Sequence, residues 1–508
     1  MYSKVNTCVL QGLNARIINV ESDLSSGLPQ FNIVGLADTA IKESKERVRT
    51  AVKNSDIEFP IKRITINLAP ANEKKEGSQM DLAIAVGILL ANGDIDNQDT
   101  GDMVIIGELA LDGTVNSVQG ALPMLISMRD LNVKKCIVPD ANKKECAIVE
   151  DIEIIPVKNL REVVDYLNGQ IVIEPYKNEE EEIINTVDDS VDFSDMKGQE
   201  GLKRAMEIAA AGGHNMLIIG PPGSGKTMAA RRLATILPDL TFEEAIEITK
   251  IYSISGLLKD EGLVKRRPFR SPHHTSSDVA LIGGGRIPKP GEVSLAHHGV
   301  LFLDELPEFP RKVLEVLRQP IEDGEVTVSR VNATLKYPSK FMFVASMNPC
   351  PCGYFGDETH QCTCTQSQID RYLGKISSPL LDRIDIHIEV KPVKYDELSS
   401  KTECESSETI RERVNRARKR QLERYKKEGI ISNSELTNKM IKKYVKLDDK
   451  AQEIMEFAFK KFNFSARSYN KILKLARTIA DLADSDLVLE KHVLEAIQYR
   501  TLDKKYWR

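Results

Sequence analysis

Apolar positions change rhythm along the chain. In the first part, short aliphatic runs alternate with longer amphipathic stretches: Ile64–Ala69, Met103–Ile106 and Lys135–Val138 predict strands, and Gly77–Ala91 and Ala121–Leu131 have helical length and spacing. This mixture predicts an α+β domain over residues 1–173. The next segment, Glu174–Met196, is dense in acids and poor in apolar runs, as a solvated connector is. Residues 197–395 then carry the apolar runs Met216–Ile219, Val300–Leu303 and Phe341–Ser346, separated by amphipathic segments. Strands buried on both faces read as continuous apolar runs, so this pattern predicts an α/β domain with a parallel sheet and crossover helices. Over residues 396–508 the period turns helical, in Leu447–Phe462, Ala466–Leu482 and Glu490–Gln498 with short polar breaks between them.

Composition narrows the classes. At 508 residues the chain has length for about three domains. A net charge of -5 argues against a surface coated in cations, so contact with nucleic acid needs a local patch or an assembled ring. The start MYSKVNTCVLQG lacks a secretory pattern, and no run reaches the roughly 18 apolar residues of a membrane span. A cytoplasmic protein without membrane contact is expected. Of eight cysteines, four crowd into Cys350-Pro-Cys352 and Cys362-Thr-Cys364, with His360 between. Four thiolates suit tetrahedral zinc, although zinc pairs more often have two intervening residues; reduced structural thiols or a redox switch are the alternatives.

Chemistry concentrates after Ile219. Gly220, Pro221, Pro222, Gly223, Ser224, Gly225, Lys226 and Thr227 form a glycine-rich turn between a strand and a helix, which aims backbone N–H groups at a phosphate chain. Lys226 reaches the β/γ-phosphates of ATP, Thr227 and Asp304 suit Mg²⁺, and Glu305 orients the attacking water. Asn348 ends an apolar strand, at the edge where parallel sheets hold ligands. Arg383 and Arg467 supply cations for a γ-phosphate, against the plainer reading of surface ion pairs.

Together these residues resemble the AAA+ ATPases of the magnesium-chelatase-like branch. RPFRSPHHTSSDVALIGGG, PGEVSLAHHGVLFLDELPEF and ASMNPCPCGYFGD are very similar to the YifB/ComM family. The resemblance covers essentially the whole chain. It implies a P-loop sheet with a C-terminal helical lid, Asn348 as sensor 1, Arg383 as an arginine finger reaching a neighbour's nucleotide, and Arg467 as sensor 2. It also implies a homo-hexameric ring that hydrolyses ATP. The expected load is single-stranded or branched DNA, moved by a helicase or branch-migration translocase in recombination or transformation. The alternative is a protein-remodelling or chelatase-like ATPase acting on a protein partner.

Two insertions are candidate DNA contacts. Within Ile251–Ser294, Lys265, Arg266, Arg267 and Arg270 surround Phe269 ahead of His273 and His274, and a brace for the ring is the equal alternative. Glu325–Tyr337 alternates like a hairpin. Related motors face such a hairpin to the pore, which makes Arg330 and Lys336 candidates beside simple hairpin packing. Residues from about Ile64 to Leu167 resemble the Lon protease domain. There the serine position falls at Gln79 and the lysine position at Leu122, while Ser78 is one residue off, so no dyad assembles. An inactive domain that binds a protein partner or organises the ring is expected.

Overall fold

The computed structural model describes residues 1–72, 75–96, 101–178, 191–258, 262–285, 288–330, 333–357, 360–393 and 404–507. Two compact units form, Met1–Ile184 with Phe242–Lys265, and Asn185–Thr241 with Arg266–Arg508.

The first unit is built on a seven-stranded sheet: β1 (Tyr2–Gln11), β2 (Asn14–Ser25), β3 (Gln30–Val34), β4 (Arg63–Ala69), β5 (Met103–Ile105), β6 (Lys135–Pro139) and β7 (Glu153–Val157), in the order β3-β4-β2-β1-β5-β6-β7. β1 and β2 make a long antiparallel hairpin, Tyr2 opposite Asp23 and Gln11 opposite Asn14. The helix Asp81–Asn92 packs on both. Its sequence is apolar on every face, and it is buried from Asp81 to Ala91. It starts later than the pattern at Gly77 predicts, because Gly77 stands at φ +95°, outside helical backbone.

One segment falls inside residues 197–395 yet joins this first unit. The helix Phe242–Ser255 packs on the helix Ala121–Asp130, and Ser253 Oγ donates to buried Glu145 at 2.7 Å. Ala245, Ile248 and Ile251 find their burial in this way, which no local pattern announces. The acidic connector is also shorter than Glu174–Met196. Tyr176 N–H donates to Ile154 O (2.8 Å) and Phe193 is buried in the second unit, while residues 179–190 lie outside the described ones.

In the second unit β8 (Met216–Ile219), β9 (Phe269–Arg270), β10 (Val300–Leu303), β13 (Met342–Met347) and β14 (Ile386–Glu389) form a parallel sheet in the order β9-β10-β13-β8-β14. Between β10 and β13 lies the antiparallel hairpin β11 (Glu325–Arg330) and β12 (Ala333–Pro338). The helices Ser407–Tyr425 and Ala466–Leu482 pack against Glu200–Gly212, so one apolar core continues from the sheet into the C-terminal helices. Within the helix Ser407–Tyr425, Arg413 pairs with Glu207 and Glu405, and Arg424 with Asp481.

Candidate nucleotide site

β8 ends at Ile219, and the chain turns through Gly220–Gly225 into the helix Lys226–Leu233. Gly223 and Gly225 take φ +74° and +80°, which L side chains resist. Lys226 Nζ donates to Gly220 O and Pro221 O at 2.8 Å and to Asn348 Oδ1 at 3.1 Å. Burial pulls the Lys226 ammonium below its ordinary pKa, with Asp304 and Glu305 opposing. Thr227 Oγ1 donates to Asp304 Oδ2 at 2.5 Å, and Ser346 donates to the other oxygen of the same carboxylate. Glu305 takes the left-handed backbone at φ +53°, a strained state that aims its N–H at Asp304 Oδ1 (3.0 Å). Its side chain is 58% exposed and lies 4.0 Å from His274. The Thr227 hydroxyl and Asp304 carboxylate are hard oxygen donors beside a helix N-terminus, a donor set that fits Mg²⁺ on a phosphate chain.

The arginines lie elsewhere. Asn215, just before β8, donates from Nδ2 to Arg383 O at 3.0 Å, and Asp385 N–H donates to Asn215 O at 3.0 Å. Arg383 is thereby held at the N-terminal edge of the sheet, with the length of β8, about 10 Å at ~3.3 Å per residue, between it and the phosphate loop. There it donates to Glu322, and Arg467 stands 3.8 Å from Glu322 and 3.8 Å from Asp382. Both line a cleft of about 760 Å³ with Lys471 and Lys474. Beneath them Asp385 meets Lys471 at 2.9 Å. Burial works to raise the Asp385 carboxyl, but the Lys471 ammonium and His214 outweigh it and hold the group well below the carboxylate range.

The structure therefore brings Lys226, Thr227, Asp304, Glu305 and Asn348 together, and Arg383 with Arg467 apart from them. Sequence reasoning missed Ser346, Tyr372, whose hydroxyl meets the Asn348 backbone, and Glu322. Ser346 had a signal, a lone small polar residue in an apolar strand; Glu322 had none.

Of the cations read as DNA contacts, Arg267 donates to Pro238 O (2.6 Å), His298 O (2.7 Å) and Asp239 O (3.0 Å). Arg270 makes a two-pronged pair with Glu292. Both guanidiniums serve the fold, because their donors are taken by the chain itself. Lys265 is half-buried and Arg266 exposed. On the hairpin Lys336 is exposed and bonds Glu325 (2.6 Å), while the Arg330 side chain lies outside the described residues. Cys350, Cys352, Cys362 and Cys364 converge, their sulfurs all within 4.8 Å of one another; His360 instead stacks on Tyr354. In the first unit Leu122 is core, and the Ser78 hydroxyl donates to Glu108.

A parallel sheet with a glycine-rich turn on one strand, a carboxylate pair on a second and a polar amide on the strand between them defines a P-loop nucleotide-binding protein of the AAA+ type. Family models agree: "Magnesium chelatase, subunit ChlI" matches residues 192–398, "Subunit ChlI of Mg-chelatase" residues 20–142, and "Magnesium chelatase, subunit ChlI C-terminal" residues 404–500. The chain is 43% identical to competence protein ComM of Haemophilus influenzae, over 97% of this chain and 96% of that protein. It is 42% identical to the uncharacterized protein YifB of Escherichia coli, over 99% and 97%. A magnesium-chelatase 38 kDa subunit of Cereibacter sphaeroides is 26% identical over 39% of this chain and 58% of that subunit. The chain belongs to the ComM/YifB family of magnesium-chelatase-like proteins. Among the described residues no helix is long and apolar enough to cross a membrane.

Proposed function

We propose that this chain is an ATP-hydrolysing motor whose sites are completed between neighbouring copies in a hexameric ring, and that it moves DNA in transformation or recombination. The observation carrying the shared site is the position of Arg383 and Arg467 at the sheet edge opposite their own phosphate loop. A guanidinium there serves the γ-phosphate of an adjoining copy, not its own. Lys226 holds the β/γ-phosphates, Glu305 orients water and Asn348 senses the γ-phosphate. Thr227 and Asp304 hold Mg²⁺, which neutralises phosphate charge, and the four clustered thiols hold zinc as a further cofactor. The DNA load is supported by similarity to a competence protein and by the hairpin carrying Lys336. Similarity to a magnesium-chelatase subunit favours the second reading, a protein partner. Branch migration on forked DNA, run with wild type beside Glu305→Gln, separates the two. Wild type is expected to move the junction and to hydrolyse ATP faster with DNA, while the variant binds ATP and stalls. An ATPase indifferent to DNA, with unmoved junctions, shifts the load to protein.

A further inference from the structure

The turn that carries the thiol cluster packs against the phosphate loop at Gly353. Cys350 Sγ lies 3.3 Å from Cys352 Sγ and 3.7 Å from Cys362 Sγ, and Cys352 and Cys362 are 3.6 Å apart. Zinc–sulfur bonds of about 2.3 Å in a tetrahedron set sulfurs roughly 3.8 Å apart, close to these spacings. All four cysteines are free of disulfides, and Cys352 N–H donates to Cys364 Sγ at 3.3 Å, a backbone bond of the kind that orients a thiolate on a metal. The turn that joins the first pair to the rest runs against the nucleotide machinery. Gly353 stands at φ +89°, and a Cβ there would meet Pro222 Cδ at 2.5 Å and Cγ at 2.8 Å. Two residues before Cys350, Asn348 accepts from Lys226. On its other side Phe355 meets the Tyr506 ring edge-on at 6.5 Å, and Tyr506 bonds Glu389 at the end of β14 (2.7 Å).

We infer that zinc on Cys350, Cys352, Cys362 and Cys364 clamps this turn so that Gly353 braces Pro222 and Asn348 stays beside Lys226, and metal occupancy thereby sets nucleotide affinity. The inference rests on the nucleotide and zinc readings above. A short turn without regular structure holds one conformation only if something offsets its chain entropy, and a tetrathiolate metal does so. A preorganised phosphate loop then binds without first being ordered.

The test uses the full-length chain, elemental analysis and a fluorescent ATP analogue. About one zinc per chain is expected. Stripping it with a mercurial and a chelator should weaken analogue binding about tenfold or more, and dithiothreitol with zinc should restore it. Gly353→Ala, which keeps every thiol, should retain zinc and still bind the analogue about tenfold more weakly, since the methyl displaces Pro222. Protein that binds the analogue but carries no zinc overturns the inference and leaves the nucleotide site standing. Zinc-loaded protein that loses its metal with affinity unchanged, or Gly353→Ala with wild-type affinity, overturns the coupling while the zinc site stands. Zinc-loaded protein that binds no analogue removes the nucleotide reading itself.

Discussion

The two edges of the parallel sheet in the second unit carry sites of opposite kinds. At the C-terminal edge Lys226 is answered by two carbonyls and Asn348, and Asp304 by Thr227, Ser346 and the Glu305 N–H, while the Glu305 carboxylate itself stays 58% exposed. At the N-terminal edge two guanidiniums share Glu322, and Arg467 is 52% exposed. Burial and the neighbouring Arg467 and Arg318 pull Arg383 below its ordinary pKa, the mark of a cation that gains from a further anion. In the proposed function, one edge receives a nucleotide and the other is delivered to one. On the proposed shared site, this contrast leads us to expect little turnover from a lone copy.

The largest expected effect breaks the second edge alone. Arg383→Ala should keep ATP binding and lose about 10³-fold or more in ATPase rate. Lys226→Ala is expected to be inactive for the other reason, so mixtures of the two should regain activity, measured by steady-state hydrolysis across mixing ratios. Flat, inactive mixtures would make Arg383 a surface ion pair and erase the contrast.

A second change tests what supports that edge. Asp385→Asn removes the buried carboxylate that faces the half-buried Lys471, at a cost of about 3–5 kcal/mol in denaturant unfolding. Because the folded Asp385 carboxyl is held below its ordinary value of 3.8, its contribution is full above that pH and is withdrawn as pH falls further. Wild type should therefore lose more stability than the variant on acidification below about pH 4. Equal acid sensitivity would show that the pair does not stabilise this edge. The smallest effect lies at the first edge. Ser346→Ala removes one hydrogen bond from Asp304, about 1 kcal/mol, and should raise the Mg²⁺ concentration needed for half-maximal ATPase roughly fivefold.

Much of the second unit is legible before any coordinates. Met216–Ile219 and Val300–Leu303 are strands with the bounds their apolar runs imply, since burial on both faces leaves no polar position to blur them. Ala466–Leu482 and Glu490–Gln498 likewise match their helical period. The hairpin β1–β2 was less visible, because partly exposed strands mix polar and apolar positions. The helix Phe242–Ser255 reads as part of the ATPase domain by position, and only its burial against Ala121–Asp130 reveals its unit. Arg267 and Arg270 read as a cationic patch because a sequence lists charges without the carbonyls and carboxylates that occupy them.

Local spacing sufficed for the chemistry that local backbone creates. Eight consecutive residues shape the glycine-rich turn, and two adjacent carboxylates follow an apolar strand, so the candidate site at this edge was readable from neighbours in the chain. The placement of Arg383 was not, because it depends on β14 pairing with β8 across about 170 residues of sequence and on Asn215 holding the Arg383 carbonyl. The cysteines behave in the same way. Their spacing suggested a metal, but only folding brings Gly353 onto Pro222, since contacts between distant segments are settled by how strands and turns pack and by nothing either segment carries alone.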